Sequence, residues 1–203
     1  MPDTQLLESR VTDGDVSVSS AATAVAGDVR RLGPADLGAY KQLRDEALRL
    51  HPEAFTSDHE TERQRAPESY LGRLGLSEPL GGSFLLGAFA GRPGQEQLIG
   101  ALGLERETRS KTRHIAWLIA LMVLPAHTGR GVGRELVARC IEQARAANGL
   151  EMIVLSVTAS SERVVRLYER AGFERYGMIP RAVRIDDGKQ VRYHDKAQML
   201  LRL

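Results

Sequence analysis

The stretch Val123-Leu124-Pro125-Ala126-His127-Thr128-Gly129-Arg130-Gly131-Val132-Gly133-Arg134-Glu135-Leu136 holds the residues with the clearest chemical capacity. An apolar run leads into a glycine-rich turn, and the turn leads directly into an amphipathic pattern. The first turn of a helix has backbone N–H groups with no internal acceptor and carries the positive end of the helix dipole. Glycines let such a backbone approach an anion with no Cβ in the way. Arg130 and Arg134 add positive charge, and a diphosphate suits the whole arrangement. Gly-x-Gly-x-Gly alone also describes many structural turns. No Lys-Ser/Thr follows the glycines, which excludes the phosphate loop of nucleotide hydrolases. The spacing is not Gly-x-Gly-x-x-Gly, and no acid closes the next strand, which argues against a dinucleotide-binding fold.

Such a turn works only between a strand and a helix that hold it still. His114–Leu124 is nearly continuous apolar sequence, as in a central strand buried on both faces. A helix from Gly131 to Ala147 places Val132, Leu136, Val137, Cys140, Ile141 and Ala144 on one side, and Asn148-Gly149 suits its C-cap. Upstream, the pattern predicts a strand over Asp28–Leu32. A helix follows, opened by Pro34 and Asp36 and closed by His51-Pro52. Residues 53–76 read as one or two short polar helices anchored by Tyr70, Leu71 and Leu74. Strands Ser83–Ala90 and Gln97–Glu105 flank the turn Gly91-Arg92-Pro93-Gly94, and Arg106–Arg113 is a charged excursion. Downstream come a strand over Met152–Thr158, a helix from Ser161 to Ala171, and a hairpin of Ala182–Ile185 with Gln190–Leu201 turned at Asp187-Gly188. The order β-α-α-β-β-β-α-β-α-β-β is an α/β chain with helices on both faces of a mixed sheet.

The chain has 203 residues, 42% hydrophobic and 27% charged, enough for one domain over residues 28–203. Residues 1–27, rich in Ser, Thr, Ala, Asp and Gly and free of aromatics, read as a disordered leader, with a short helix over Thr4–Arg10 as the alternative. A net charge of +2 without aromatic-interleaved basic clusters gives no reason to expect nucleic acid. No apolar run reaches the roughly 18 residues of a membrane span. The single cysteine, Cys140, cannot form an internal disulfide and fits a reducing, cytoplasmic setting. It lies on an apolar helix face, as a packing residue does. The five histidines show no metal-ligand spacing.

A second segment, Leu167-Tyr168-Glu169-Arg170-Ala171-Gly172-Phe173, follows the glycine-rich turn. Together the two resemble the signatures of the GCN5-related N-acetyltransferase (GNAT) superfamily, over roughly Asp28 to Leu203. The superfamily's diphosphate signature is Gln or Arg, two residues, Gly, one residue, Gly or Ala. It falls on Thr128, Gly131 and Gly133, with Thr128 replacing the usual Gln or Arg. The resemblance implies a mostly antiparallel sheet of six to seven strands flanked by helices, with a splayed parallel pair at its centre, here His114–Leu124 and Met152–Thr158. It implies acetyl-CoA as co-substrate and transfer of the acetyl group to a primary amine, on a small molecule or a peptide, by direct attack in a ternary complex. Homodimers are common among such proteins. A coenzyme A-binding module without catalysis is the alternative, motivated by Thr128 and by Trp117.

The same resemblance assigns roles. Leu121, Met122 and Val123 offer main-chain groups to pantetheine, with the Leu121 N–H as oxyanion donor. Thr128, through its main chain, together with Gly129, Arg130, Gly131, Val132, Gly133 and Arg134, cradles the diphosphate. Tyr168 is the general acid for the departing sulfur; as a lone tyrosine on an amphipathic helix it is equally a core residue. Ser161 stands where many members carry a pantetheine-binding asparagine, and a helix cap is the favoured reading. Trp117 occupies the position where some members carry a glutamate base. Water, His114, or an acid such as Glu53 or Glu62 is left to take the amine proton. Asp195 is read as a structural partner of Tyr or Arg neighbours rather than a substrate contact.

Overall fold

The computed structural model describes residues 28–92 and 94–203. The leader, its Thr4–Arg10 alternative and Pro93 lie outside the described residues. Seven strands alternate with helices: β1 (Val29–Arg31), α1 (Leu37–Leu50), α2 (His59–Glu62), β2 (Phe84–Ala90), β3 (Gln97–Arg106), β4 (Ile115–Val123), α3 (Val132–Arg145), β5 (Met152–Thr158), α4 (Glu162–Arg170), β6 (Glu174–Asp186) and β7 (Val191–Arg202). Four single 3-10 segments, starting at Pro34, Pro52, Pro67 and Pro125, each begin on a proline, whose fixed φ suits a first helical position. The strands form one sheet in the order β1-β2-β3-β4-β5-β7-β6, antiparallel throughout except between β4 and β5.

Alternation along β2 sends side chains to two cores. Phe84, Leu86 and Ala88 join α3 on one face, while Leu85 and Phe89 join α1 on the other. The expected apolar stripe of α3, from Val132 through Ala144, is buried in full. That helix stops at Arg145, short of the expected Ala147, and Gly149 takes a left-handed φ of 66° in the turn beyond. Among the expected anchors of residues 53–76, which fold here as 3-10 helix over Pro67–Leu74, Tyr70 and Leu74 are buried but Leu71 is exposed.

Two strands differ from expectation in ways that matter. β6 extends over Glu174–Asp186 rather than Ala182–Ile185. It is an edge strand whose early residues face solvent, and it tolerates Pro180 because an edge strand does not need every N–H. β4 is not buried on both faces: Trp117 is 37% exposed, and Ile119, Ala120, Leu121 and Val123 are half-buried. The cause is a break in its ladders. Against β3, Met122 pairs with Ala101 and Ile119 with Gly103, so Ala120 and Leu121 together oppose Leu102. Ala120 accommodates the surplus residue at a φ of 53°. The bulge turns the alternation over: Ala116 and Leu118 point to the α3 core, and Met122 points to the α1 core.

Candidate active site

β4 and β5 pair only from Ile115–Met152 to Trp117–Val154, and β5 then stays with β7 through Thr158. Past Trp117 the two parallel strands therefore part. The gap is a cleft of about 320 Å³ lined by Trp117 to Leu121 on one side and Ser156 to Thr158 on the other. Ser161, Val164 and Tyr168, spaced three and four residues apart along α4, close one wall. Arg163 and Leu167 face the other way, toward the glycine-rich turn. A Cβ on Gly133 would stand 3.7 Å from Leu167 Cδ1 and 3.9 Å from Val123 Cγ2, and one on Gly129 would stand 3.4 Å from an Arg163 nitrogen. One short helix thus ties the cleft to the turn.

In the turn, Thr128 is engaged internally through its N–H and its hydroxyl. Its N–H donates to Pro125 O at 3.2 Å and its hydroxyl to Leu124 O at 3.3 Å. At the other end, Glu135 N–H donates to Gly131 O at 3.0 Å as the first closed bond of α3. Between them, the amides from Gly129 to Arg134 make no backbone hydrogen bond among the described residues. Gly129 and Gly131 have φ of 86° and 87°, a region that costs a residue with a Cβ roughly 1–2 kcal/mol. Arg130 and Arg134 are exposed, and Val132 and Met122 have side chains in the cores, so only their main chains are open to a ligand. The run of unpaired amides, positive φ and exposed arginines fits a diphosphate.

Tyr168 lines the cleft with 4% of its surface exposed and stacks edge-on against Phe173 at 5.6 Å. Burial pushes its phenol pKa up, with no hydrogen bond contributing, so it keeps its proton at neutral pH. Ser161 occupies the N-cap of α4, yet its side chain makes no cap hydrogen bond; its carbonyl instead accepts from Val164 and Val165 N–H. The favoured reading of Ser161 as a side-chain cap therefore fails, because its ψ of 61° departs from the extended conformation typical of a capping residue. Burial holds the Cys140 thiol up at about 12, protonated and packed in the core.

The candidate bases separate clearly. His114 sits at the closed end of the parallel pair, its carbonyl accepting from Glu151 and Met152 N–H, away from the gap. Glu62 is buried against Arg44 at 2.8 Å and Tyr70 at 2.6 Å, with Arg65 at 3.1 Å. Burial alone would raise its pKa, but these bonds overcome it and hold the carboxyl at about 2. Glu53 contributes its carbonyl, which accepts from the Thr158 hydroxyl at 2.7 Å. Asp195 accepts from the backbone N–H of Arg181 at 2.8 Å, a structural contact to an Arg neighbour made through the main chain.

Glu105, which no motif marked, supplies the carboxylate among the described residues lining the cleft. It lies in β3 opposite Trp117 and pairs with Arg73 at 3.3 Å. Arg44, Arg73 and Lys196 also line the cleft unannounced. Lys196 was hidden by period two: the core face of β7 runs through Ala197 and Met199, so a lysine next to Ala197 reads as outward, yet it is buried.

Among curated proteins, a stretch of 61 residues is 41% identical to an uncharacterised protein of Mycobacterium leprae, spanning 30% of this chain but only 16% of that relative. Among solved structures, a protein of Salmonella typhimurium determined with its cofactor acetyl-CoA superposes with a TM-score of 0.71 at 24% identity, over 87% of this chain and 93% of that one. A phosphinothricin acetyltransferase of Sinorhizobium meliloti, in complex with acetyl-CoA, superposes with a TM-score of 0.65 at 19% identity, over 88% and 89% of the two chains. At those identities the likeness establishes the fold. The acetyltransferase (GNAT) family matches residues 41–173, from within α1 to the residue before β6, so it takes in the cleft's main walls and the glycine-rich turn together. The chain belongs to the acetyltransferase (GNAT) family.

Proposed function

We propose that the protein transfers the acetyl group of acetyl-CoA to a primary amine, by direct attack of the neutral amine within a ternary complex. The observation that supports this most strongly is the continuity of two features: a gap between parallel strands, and beyond α4 a run of unpaired amides suited to a diphosphate. The amides from Gly129 to Arg134 hold the diphosphate, with Arg130 and Arg134 adding charge and Thr128 fixing the turn from within. Main-chain groups of Leu121, Met122 and Val123 hold the extended pantetheine arm.

In the reaction the amine nitrogen bonds to the thioester carbonyl carbon and the carbon–sulfur bond breaks. The Leu121 N–H, at the bulge, donates to the carbonyl oxygen as charge builds on it. Glu105 takes one proton from the amine, and Tyr168 gives one to the sulfur. A raised phenol pKa suits a group that must hold its proton until a thiolate forms. Trp117, hydrogen-bonded to Glu107 at 2.9 Å, forms part of the wall where the reacting carbon would lie.

Isothermal titration with acetyl-CoA tests the reading. We expect saturable binding in the micromolar range, typical of substrates at such sites. No heat of binding up to millimolar ligand would remove the proposal.

A further inference from the structure

We infer that the cleft selects a small acceptor amine that also carries a carboxylate, with the Lys196 ammonium as its counter-ion; this deepens the acyl-transfer reading and rests on it. Among the described residues, the cleft is lined by three cations, Arg44, Arg73 and Lys196, against the one carboxylate of Glu105. Two of the cations are already answered. Arg44 is paired with Glu62 at 2.8 Å, and Arg73 with Glu105 at 3.3 Å. Lys196 is only 5% exposed, and its Nζ donates to the main-chain carbonyl of Ala54 at 3.0 Å. It takes part in no salt bridge among the described residues.

An ammonium has three donors, and a neutral carbonyl serves one of them. A desolvated cation without a counter-ion is unfavourable, and burial accordingly lowers the Lys196 pKa. A carboxylate on the substrate supplies both the missing charge and the missing acceptors. The excess of positive charge also favours the neutral form of a bound amine, which is the form that attacks. A cleft of about 320 Å³ lies at the small end of ligand pockets, which begin at roughly 300 Å³, and suits a small acceptor. The rival role for Lys196 is structural. With Thr158, which donates to Glu53 O at 2.7 Å, it fastens the 3-10 segment at Pro52–Ala54 to the sheet. A fastening role does not distinguish a carboxylate from a carboxamide.

The test uses the full chain in a thiol-release assay with saturating acetyl-CoA and matched amine pairs: glycine with glycinamide, L-methionine with L-methioninamide, and 4-aminobutyrate with 4-aminobutanamide. In at least one pair the acid is expected to exceed its amide in kcat/KM by about tenfold or more, chiefly through KM. Lys196→Met should bring that ratio to about one, and Lys196→Arg should keep the acid ahead. A ratio measured within one sample does not depend on the folded fraction, and if Lys196→Met is insoluble the wild-type ratio decides. Amides matching or beating their acids in every pair that reacts, or a preference that survives Lys196→Met, overturns the inference alone. Acetyl-CoA binding with turnover of none of these amines also overturns it. Failure to bind acetyl-CoA overturns the reading beneath it.

Discussion

The two ends of the cleft are built on different principles. At the coenzyme end, the candidate contacts are main-chain N–H groups displayed by a turn of contiguous sequence, Gly129 to Arg134, and their chemistry survives almost any choice of side chain that leaves the glycines alone. At the proposed acceptor end, the candidate contacts are side chains from α1, the 3-10 segment at Pro67–Leu74, β3 and β7, namely Arg44, Arg73, Glu105 and Lys196, brought together only by the fold. Substitution should therefore act differently at the two ends, on binding at one and on turnover or specificity at the other.

The largest effect is expected from Gly131→Glu, which places a side chain at a φ of 87° and a negative charge among the amides. Acetyl-CoA affinity by calorimetry should fall on the order of 1,000-fold, while Gly131→Ala should lose far less, since it brings strain without charge. Equal losses in the two variants would mean that the turn matters for shape and not for its anion. At the other end, Tyr168→Phe should lower kcat by about 100-fold and Glu105→Gln by about tenfold, with acetyl-CoA affinity within about twofold of wild type. A turnover unchanged across pH in either variant removes that residue from proton transfer.

Glu62→Gln probes the wall behind Arg44. Its carboxyl is held at about 2 against an ordinary 4.5, so the stabilisation it gives is complete above about pH 4.5 and is lost as pH falls toward 2. The variant should be about 2 kcal/mol less stable at pH 7 by denaturant unfolding, and the difference from wild type should shrink in acid. A pH-independent difference would show that packing, not charge, holds that wall. The smallest effect is expected from Ser161→Ala: with no side-chain cap bond to lose, thermal unfolding should change by less than about 0.5 kcal/mol, where a true cap costs about 1.

The same contrast explains what could be read from sequence. The succession of strands and helices along the chain, the stripe of α3 and the glycine-rich turn each depend on residues close together in the chain, where period and turn chemistry suffice. Tyr168 and Leu121 were singled out by resemblance alone, and both line the cleft. Glu105 and Lys196 carry no local signal, because each is an ordinary charged residue in a strand until its neighbours across the sheet are known. The exposure of β4 was missed for a related reason: an apolar run looks alike whether it faces a core or the wall of a slot. Edge strand β6 was cut short because its early residues are polar or exposed and show no buried face.

The surplus residue in β4 has a consequence for how this protein can change. Before Ala120 the even-numbered side chains serve one core, and after it they serve the other. Removing Ala120 would leave Leu118, Leu121 and Val123 on the α3 side and Met122 on the α1 side, so a regular strand would keep both cores as they are. The hydrophobic cores therefore do not hold the bulge in place: a lineage could straighten β4 by one deletion with the packing on both sides of the sheet intact, and the bulge persists for what it does at the slot.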